Sequence, residues 1–466
     1  MSQKYDVIIV GAGAAGIFAT LKLIEETDLS VLILEKGLKL NQRTCLVGKD
    51  PCSSCHLCSK TSGWGGAGAF SDGKLNIAQT SIGVSIADFI DTNDFGRLVK
   101  MTDDYWLEFG APKKVYGLDS ARVAKIRRRA EKVGLIFKVS PIRHLGTDGS
   151  IKVLGKMFSF LENRVQIKFR AEVEKILIDK KNHRARGVVL KNGQKYLAKH
   201  LVICPGREGA DWFADQCQDL GLSQTVCPVE IGVRVELPAK VMKPLTDVLY
   251  EAKIGYWTKT FNDFVRTFCM CPGGYVTVEN TDSSYRVKSV NGHSFQKKKS
   301  QNTNFALLVR TEFTYPFKEP NLYGSYVTGL ANLLSDGILV QRLGDLLAGR
   351  RSTKQRIRQS SVRPTLKSAV PGDLAYVLPY RHLTNLMETL KAIDKIAPGV
   401  FAFDTLLYGV EVKFYSSSPK LTNCFETEIE NLFACGDGAG VSRNLVHASV
   451  SGLKVAEEII SRNIKS

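Results

Sequence analysis

The sequence lacks the segments that would place the chain in a membrane, a repeat array or the disordered class. Hydrophobic residues make up 44% and charged residues 24% of the 466 residues, as in globular proteins. No internal repeat of roughly 20–50 residues is present. The apolar stretch 5–24 is interrupted by Asp6 and Lys22 and holds three glycines, so it predicts a turn rather than a membrane helix. With no convincing signal peptide, we expect a soluble, cytoplasmic protein.

The sequence also lacks aromatic residues interleaved with its basic runs, the pattern that single-strand nucleic-acid binders use for base stacking. The net charge is nevertheless +18, from 64 basic and 46 acidic side chains. Basic runs lie at 125–132, 297–299 and 349–364. This excess predicts an anionic partner, namely nucleic acid, an anionic membrane surface or an anionic small molecule, with solvated surface charge as the alternative.

The N-terminal residues have the pattern of a dinucleotide-binding unit. A β-branched run, YDVIIV, is followed by GAGAAG, a helical stretch and a second apolar run that ends at Glu35. Gly11 makes the tight turn, Gly13 lets backbone N–H groups approach a pyrophosphate, and Gly16 lets helix and strand pack closely. Glu35 is expected to hold the ribose hydroxyls, and the adjacent Lys36 is a further cofactor-binding candidate.

The other end of the chain favours FAD over NAD. The segment NLFACGDGAG at 431–440 resembles the second FAD signature of two-dinucleotide-fold flavoproteins. The resemblance implies that Asp437, beside Gly438, accepts hydrogen bonds from the ribityl chain. In the same way LVICPGREG implies that Gly206 lies close to the cofactor, and Val173 corresponds to the position whose backbone meets the adenine. A second strand–GxGxxG–helix unit is missing, so NAD(P)H is expected only as a diffusible donor.

Further stretches are more specific: GWGGAGAFSDGKL, VRTFCMCPGGYV, VNGHS, TNFALLV and LLYGVEVKFYS. With the closing GDGAG they resemble the FAD-dependent dehydrogenases known as the "NAD(FAD)-utilising dehydrogenase" group, related in fold to geranylgeranyl reductases and aromatic hydroxylases. The resemblance covers nearly the whole chain. Many members carry an extra N-terminal domain, whereas this sequence starts at the fingerprint strand. The resemblance implies a cofactor and a fold, and no substrate.

By this resemblance the segment GGAGAFSDG passes close to the flavin ring. Gly66 and Gly68 allow main chain to lie against a planar ring, where N–H groups stabilise negative charge on the reduced flavin. Asp72 and Lys74 are predicted to reach the ring or the substrate, and Arg43 the pyrophosphate. Local turn capping and surface charge are the alternative for these three.

Four of the 11 cysteines are clustered just before that segment. Cys45, Cys52, Cys55 and Cys58 have the spacing C-x6-C-x2-C-x2-C. The short spacers resemble those of ferredoxin-type sites and favour a four-iron cluster within electron-transfer reach of the flavin. Zinc ligation, a redox thiol relay and four unrelated structural cysteines are the other interpretations.

RTFCMC places a second pair of thiols on one face of a strand. Cys269 and Cys271 are predicted to face the flavin or the substrate, with Arg266 binding a carboxylate or phosphate through its planar fork. Buried small side chains beside an ion-paired arginine are the alternative.

Among only seven histidines, His293 is the best candidate for a general acid or base, although a structural histidine in a turn is commoner. Lys413 and Tyr415 share one face of a probable strand and are either flavin-proximal or a packing pair.

These patterns together predict an α/β protein with a doubly wound Rossmann-like FAD-binding domain assembled from both chain ends, 1–224 and 401–466, and an inserted α+β substrate domain at 225–400. The predicted activity is hydride or two-electron transfer through FAD on a small, anionic substrate, with a diffusible nicotinamide or an electron carrier as partner. A reductase of isoprenoid or lipid double bonds, a nucleic-acid-binding flavoprotein and a flavin sensor without turnover are the alternatives. The sequence makes no prediction of oligomeric state.

Overall fold

The computed structural model describes residues 3–44, 57–78, 86, 89–225, 228–280, 287–317, 319–415 and 418–465. These ranges form a mixed α/β fold with one mainly parallel sheet, one mainly antiparallel sheet and three small sheets. The helices are α1 (Ala14–Glu26), α2 (Thr92–Glu108), α3 (Ser120–Glu131), α4 (Gly146–Leu161), α5 (Ala210–Asp219), α6 (Ala239–Leu249), α7 (Pro320–Ser335), α8 (Leu343–Leu347), α9 (Lys354–Gln359), α10 (Tyr380–Asp394) and α11 (Leu445–Lys465).

The strands of the first half of the chain are β1 (Gln3–Val10), β2 (Val31–Glu35), β3 (Lys74–Asn76), β4 (Val115–Tyr116), β5 (Ile136–Lys138), β6 (Ile142–His144), β7 (Gln166–Phe169), β8 (Val173–Asp179), β9 (Arg184–Leu190), β10 (Lys195–Ile203) and β11 (Gln224–Thr225). Those of the second half are β12 (Val229–Pro238), β13 (Lys253–Trp257), β14 (Phe264–Pro272), β15 (Tyr275–Asn280), β16 (Lys288–His293), β17 (Asn302–Thr311), β18 (Leu339–Arg342), β19 (Val370–Pro371), β20 (Leu406–Lys413), β21 (Ser418–Pro419) and β22 (Leu432–Ala434).

The first sheet has the order β7-β2-β1-β10, with β22 also pairing β10 in parallel and β9 and β8 continuing it antiparallel. Val7, Ile8, Ile9 and Val10 of β1 are all buried. An unbroken apolar run is expected of a parallel strand that is covered on both faces. β1 is therefore a buried strand with parallel neighbours on both sides, as expected for its β-branched run.

Helices from the two chain ends pack against each other beside this sheet. α1 is buried along most of its length, and α11 crosses it closely. A Cβ on Gly452 of α11 would stand only 2.1 Å from the carbonyl oxygen of Ala15 in α1. The C-terminal segment, β22 and α11, thus completes a layer that the N-terminal segment, β1 and α1, begins.

The second sheet has the order β19-β18-β20-β12-β17-β14-β13-β5 and is antiparallel except for the pair β18–β19. Apolar side chains of α3, α6 and α10 pack with it in a separate core. Two of its strands come from outside the predicted insertion at 225–400, because β5 precedes it and β20 follows it. The domain limits and the doubly wound arrangement stay predictions.

Three small sheets connect these layers: β3 with β6 and β4, the hairpin β15–β16, and the pair β11–β21. β3 and the hairpin bring polar side chains to the gap between the two large sheets. None of the helices in the described ranges contains an apolar stretch long enough to cross a bilayer.

Candidate functional site

A cavity of about 470 Å³ lies where the carboxyl ends of β1, β2, β10 and β22 meet the second sheet. In open α/β sheets this edge is where ligands bind, because the loops that follow the strands leave a crevice there. One end of the cavity is formed by these loops, and the other by the segment after residue 60 together with β13, β14, β16 and the residues that follow β20.

The glycine turn after β1 places Gly11 and Gly13 on the cavity wall. Gly11 has φ +105°, and a Cβ there would lie 2.1 Å from the carbonyl oxygen of Cys204. At Gly13 a Cβ would meet nothing within 4 Å and would point into open space. Gly16 is behind the wall, where a Cβ would stand 2.1 Å from the carbonyl oxygen of Gly11. The three glycines thus have the turn, approach and packing positions that their spacing predicts.

Glu35 lies at the end of β2, on the cavity wall and largely buried. Its carboxylate accepts hydrogen bonds from the backbone N–H groups of Ala12 at 2.8 Å, Gly37 at 2.7 Å and Gly63 at 3.0 Å. The side chain therefore fixes the glycine turn relative to the loop at 63 while one face remains toward the cavity.

Lys36, Val173 and Gly206 also lie on the wall at this end. The ammonium of Lys36 is 3.4 Å from the carboxylate of Glu208, so its charge is already partly compensated. Val173 begins β8, and Gly206 has φ +60° with nothing within 4 Å of a Cβ. This backbone therefore lies open to a ligand.

Asp437 follows β22 and forms part of the wall. Burial raises the pKa of its carboxyl, and the hydroxyl of Ser442 donates to Oδ1 at 2.6 Å. Gly438 is behind the wall, because a Cβ there would be 2.0 Å from the carbonyl oxygen of Gly206. Gly438 therefore packs between two loops, and its contact with the cofactor stays a prediction.

Three helices begin at the cavity. Residues at the N-termini of α1, α5 and α11 all contribute to the wall, and neither α1 nor α5 has a side-chain cap. Free N–H groups and the helix dipole make such ends attractive to anions. Their convergence offers an anionic group helix N-termini at the wall in addition to the cationic side chains there.

The loop from Gly65 to Phe70 joins the two ends of the cavity. The N–H of Gly65 donates to the carbonyl oxygen of Ala12 at 2.7 Å, which ties this loop to the glycine turn. A Cβ on Gly66 would come within 3.2 Å of the Cα of Gly13, and one on Gly68 within 2.4 Å of Leu445 in α11. Both predicted glycines thus line the cavity where the starts of α1 and α11 approach each other.

Arg43 is not on the wall, contrary to the prediction that it reaches the pyrophosphate. Its guanidinium is buried and donates to four backbone carbonyls, those of Ser59, Lys60, Trp64 and Gly66. Burial lowers its pKa to about 10. The side chain clamps the loop that forms the wall, which agrees with the alternative interpretation of local turn capping.

Of the clustered cysteines, Cys45, Cys52 and Cys55 lie outside the described residues. The carbonyl oxygen of Cys58 accepts from the N–H groups of Thr61 and Ser62 at 3.1 and 2.9 Å, and both of these residues line the cavity. The cluster therefore ends next to the wall, and metal binding by the four thiols stays a prediction.

Asp72 and Lys74 form a buried ion pair at 2.7 Å on the wall facing the second sheet. Glu251 lies 3.5 Å from the Lys74 ammonium on its other side. Burial raises the pKa of Asp72, but the Lys74 charge outweighs it and lowers that pKa to about 2. Both groups are therefore charged, and their predicted contact with the ring or the substrate stays a prediction.

Cys269 and Cys271 both point toward Asp72. Their Sγ atoms are 3.1 and 3.8 Å from the same oxygen, Oδ2. Cys269 is on the cavity wall, whereas Cys271 is fully buried behind it. Hydrogen bonding between the thiols is the main cause of opposite shifts, lowering the pKa of Cys271 and raising that of Cys269.

Arg266 reaches the wall, but its fork is occupied. Nε and one terminal nitrogen donate to the two carboxylate oxygens of Glu230 at 2.7 and 2.6 Å, and the phenol of Tyr415 lies 3.4 Å away. The predicted binding of an anion through this fork is therefore replaced by an ion pair across two strands. An ion-paired arginine is the alternative that the sequence analysis left open, although the partner Glu230, on a different strand, is identified only by the structure.

Lys253 is a cationic side chain on the wall that the sequence analysis does not single out. It lies in β13 on the cavity wall, and no carboxylate of the described ranges lies within ion-pair distance of its ammonium. Burial lowers its pKa to about 8. A lysine within an ordinary strand carries no motif, so only the tertiary structure identifies it.

His293 ends β16 on the wall. Burial lowers its pKa to about 4, so the ring is neutral near pH 7. Lys413 is also on the wall, 3.9 Å from Glu279 and 3.3 Å from Glu411. Tyr415, two residues later, likewise lines the cavity. The Cζ atom of Arg443 lies 3.1 Å from the centroid of its ring.

One comparison with known proteins concerns a flavin, the match to a family model. Residues 228–414 match the family model described as "FAD-dependent protein, C-terminal domain-like". An uncharacterized protein of Clostridium beijerinckii is 28% identical over 487 aligned positions, which cover 98% of this chain and 81% of the relative.

Two solved structures are similar at low identity. A 3-ketosteroid-delta4-(5alpha)-dehydrogenase from Rhodococcus jostii is 12% identical with a TM-score of 0.44, covering 98% of this chain and 97% of its own. Glycine oxidase from Geobacillus kaustophilus is 13% identical with a TM-score of 0.40, covering 99% and 95%. These two likenesses are too distant to assign a function. The family match, which spans most of the second sheet, supports FAD as the cofactor of this chain.

Proposed function

We propose that this chain is an FAD-dependent oxidoreductase that transfers an electron pair between FAD in the cavity and a small anionic substrate. The main support for this proposal is the open space around Gly13, where a Cβ would have no neighbour within 4 Å. This space lies at the start of α1, which has no side-chain cap, and near the buried carboxylate of Glu35. The sequence resemblance to the "NAD(FAD)-utilising dehydrogenase" group supports this proposal, and membership of that group is part of it.

The residues at the glycine end fit the nucleotide half of FAD. The N–H groups at the start of α1 suit the pyrophosphate, and Gly13 leaves room for it. Glu35 keeps acceptor capacity for ribose hydroxyls in addition to its backbone bonds. The open backbone at Val173 and Gly206 suits the planar adenine and the linker.

The opposite end fits the flavin half. Asp437 is an acceptor for the ribityl hydroxyls, and the start of α11 offers a positive dipole for charge on the ring. When bound, FAD supplies two-electron chemistry. The chain surrounds that chemistry with main chain at Gly66 and Gly68, which excludes water from one side.

Substrate recognition is assigned to the second sheet. Lys253 presents an ammonium without a carboxylate partner among the described residues, so it suits an anionic group better than Arg266 does. Because its pKa is lowered to about 8, Lys253 is also able to hold or release a proton at Nζ near neutral pH. His293 is neutral there and serves as a proton acceptor or hydrogen-bond donor.

The electron partner, a diffusible nicotinamide or a carrier served by an iron–sulfur cluster, remains part of the proposal. An anionic membrane surface or nucleic acid as partner rests on the net charge of +18 alone.

The substitution Gly13→Ala tests the cofactor site. Gly13 has an extended backbone, φ −80° and ψ −174°, and free space around a Cβ, so alanine is compatible with the folded apoprotein. The methyl group would occupy the place proposed for the pyrophosphate. Overpacking of this kind costs about 1–3 kcal/mol, so we expect the Kd for FAD to rise roughly 5- to 150-fold.

Gly155→Ala, in α4, is the matched control. Its Cβ would lie 3.7 Å from the side chain of Leu40, which is an ordinary van der Waals contact. Each apoprotein is titrated with FAD by fluorescence quenching, and folding is checked by circular dichroism. Wild-type affinity in Gly13→Ala would show that the phosphates are not bound at this turn. No FAD binding by the wild-type chain would contradict the proposed cofactor.

A further inference from the structure

Asp72, Lys74, Cys269 and Cys271 form a compact group, here named the thiol cluster, at the cavity end that faces the second sheet. Asp72, Lys74 and Cys269 are on the wall, and Cys271 is directly behind. One oxygen of Asp72 and the two Sγ atoms all lie within 4.8 Å of one another. Two thiols are therefore held together beside the place proposed for the flavin.

A break in the strand brings the thiols together. β14 pairs with β17 with a register shift between Phe268 and Cys271, and Cys269 has φ +48°. A left-handed backbone is unfavourable for a residue with a side chain, and such positions cluster at functional sites. The bulge turns Cys269 toward Asp72, so that both side chains of the C-x-C pair point to one carboxylate oxygen.

Surrounding groups hold this arrangement. The carbonyl oxygen of Cys269 accepts from the buried guanidinium of Arg234 at 3.1 Å. A Cβ on Gly274 would lie 2.6 Å from the Cβ of Cys271, so only glycine leaves room for that thiol. The Lys74 ammonium, 2.7 Å from Asp72 and 3.8 Å from the Sγ of Cys269, supplies a positive charge for a thiolate.

That ammonium also argues against a metal ion. Asp72 and two thiols offer ligands of the right kind, but Lys74 already stands at hydrogen-bond distance from the carboxylate. A divalent cation would have to share this position with the lysine charge, and repulsion in a buried site makes that unfavourable.

We propose that Cys269 and Cys271 are a second two-electron centre, which exchanges an electron pair with the FAD of the proposed function, on which this inference rests. Forming one S–S bond breaks two S–H bonds and releases two protons and two electrons, and FAD takes up both to become FADH2. The reverse reaction returns the pair to the sulfur atoms. The ring closed by cysteines two apart is strained, which makes the bond readily reducible.

An anaerobic reductive titration tests the proposal on holoprotein oxidised beforehand with ferricyanide, which adds no thiol group to the protein and is removed before the titration. Dithionite with a mediator dye is added, and electrons taken up per chain are counted. We expect the wild-type chain to take up two electrons more than Cys271→Ser or Cys269→Ser, whatever other redox centre it carries. Cys424→Ser, which alters a cysteine outside the cavity wall, is the control and should match the wild type.

Equal uptake in all four proteins would overturn the proposal. A second measurement needs no variant: the tryptic peptide 267–286 contains both cysteines and no other. In the oxidised protein it should resist alkylation and have a mass lower by two hydrogens. Two free thiols in peptide 267–286 of the oxidised protein would also overturn the proposal. So would zinc that is bound by the wild-type protein and lost in Cys271→Ser.

Failure of the proposed function is distinguishable from failure of this inference. A chain that binds no FAD but forms the bond in peptide 267–286 would contradict the cofactor and leave the dithiol in place. A chain that binds FAD and forms no bond would contradict only the second centre.

Discussion

The substitution Glu411→Gln removes the negative charge from the most enclosed ion pair of the second sheet. Glu411 and Arg234 are both 0% exposed, and the carboxylate accepts from Arg234 at 2.7 and 2.8 Å. Burial alone would lower the pKa of Arg234, but the adjacent Glu411 outweighs it and raises that pKa, so the pair is charged.

Lys413, 3.3 Å from Glu411, would also lose a counter-charge in this variant. Glutamine keeps the shape of the side chain, so the loss is electrostatic rather than a cavity. Removing one partner of a buried pair costs about 3–5 kcal/mol because the remaining charge is left uncompensated. We expect the free energy of unfolding to fall by that amount.

The assay is urea unfolding followed by tryptophan fluorescence, with Asp247→Asn as the matched control. Asp247 pairs with Lys243 at 3.0 Å on the surface of α6, where the two side chains are 52% and 66% exposed. Such a pair contributes about 0.5 kcal/mol or less. If Glu411→Gln loses no more stability than Asp247→Asn, the reasoning about buried charge in this sheet is wrong.

Three further predictions concern acid stability, the loop clamp and the cysteines. Burial lowers the pKa of His382 to about 4, against about 6.5 in the unfolded chain. Because the unfolded chain takes up this proton at a higher pH than the folded chain does, the contribution of His382 to stability is complete above pH 6.5 and is lost as the pH falls through 4. The loss reaches up to about 3 kcal/mol, and urea titrations of His382→Gln should show a flatter pH dependence. Arg43→Met deprives four carbonyls of donors and should weaken FAD binding at least about tenfold by fluorescence titration; unchanged affinity would rule out the clamp. Wild-type protein purified anaerobically should contain about four irons per chain, which Cys55→Ser should lose and Cys424→Ser keep; equal iron contents would contradict cluster binding.

The parts of the site that the sequence predicted are those encoded within short segments. Gly11, Gly13 and Glu35 lie on the cavity wall as expected, because a strand, a turn and a helix start are specified by neighbouring residues. Asp437 lies on the same wall, since its own strand end and helix provide a second local pattern. Such patterns determine backbone direction without knowledge of the remaining chain.

The parts that are harder to predict depend on partners that no local motif identifies. Arg43 and Arg266 were predicted to bind anions because a guanidinium in a motif suits phosphate or carboxylate. In the structure, loop carbonyls occupy the first and Glu230 occupies the second. Lys253, in contrast to the two arginines, belongs to no recognisable motif. No residue near it in the sequence shows that its strand borders a cavity.

The buried charges and the thiols of the second sheet form one arrangement. Well-packed apolar side chains would stabilise a sheet at least as well as a buried ion pair, so stability alone does not account for Arg234 and Glu411. The hydrogen bonds that the two side chains make account for their presence. Glu411 fixes two nitrogens of the guanidinium, and the third donates to the carbonyl oxygen of Cys269 at 3.1 Å, where the backbone is left-handed. Because that bulge turns Cys269 toward Asp72, the ion pair is best understood as the element that positions the thiols at the cavity.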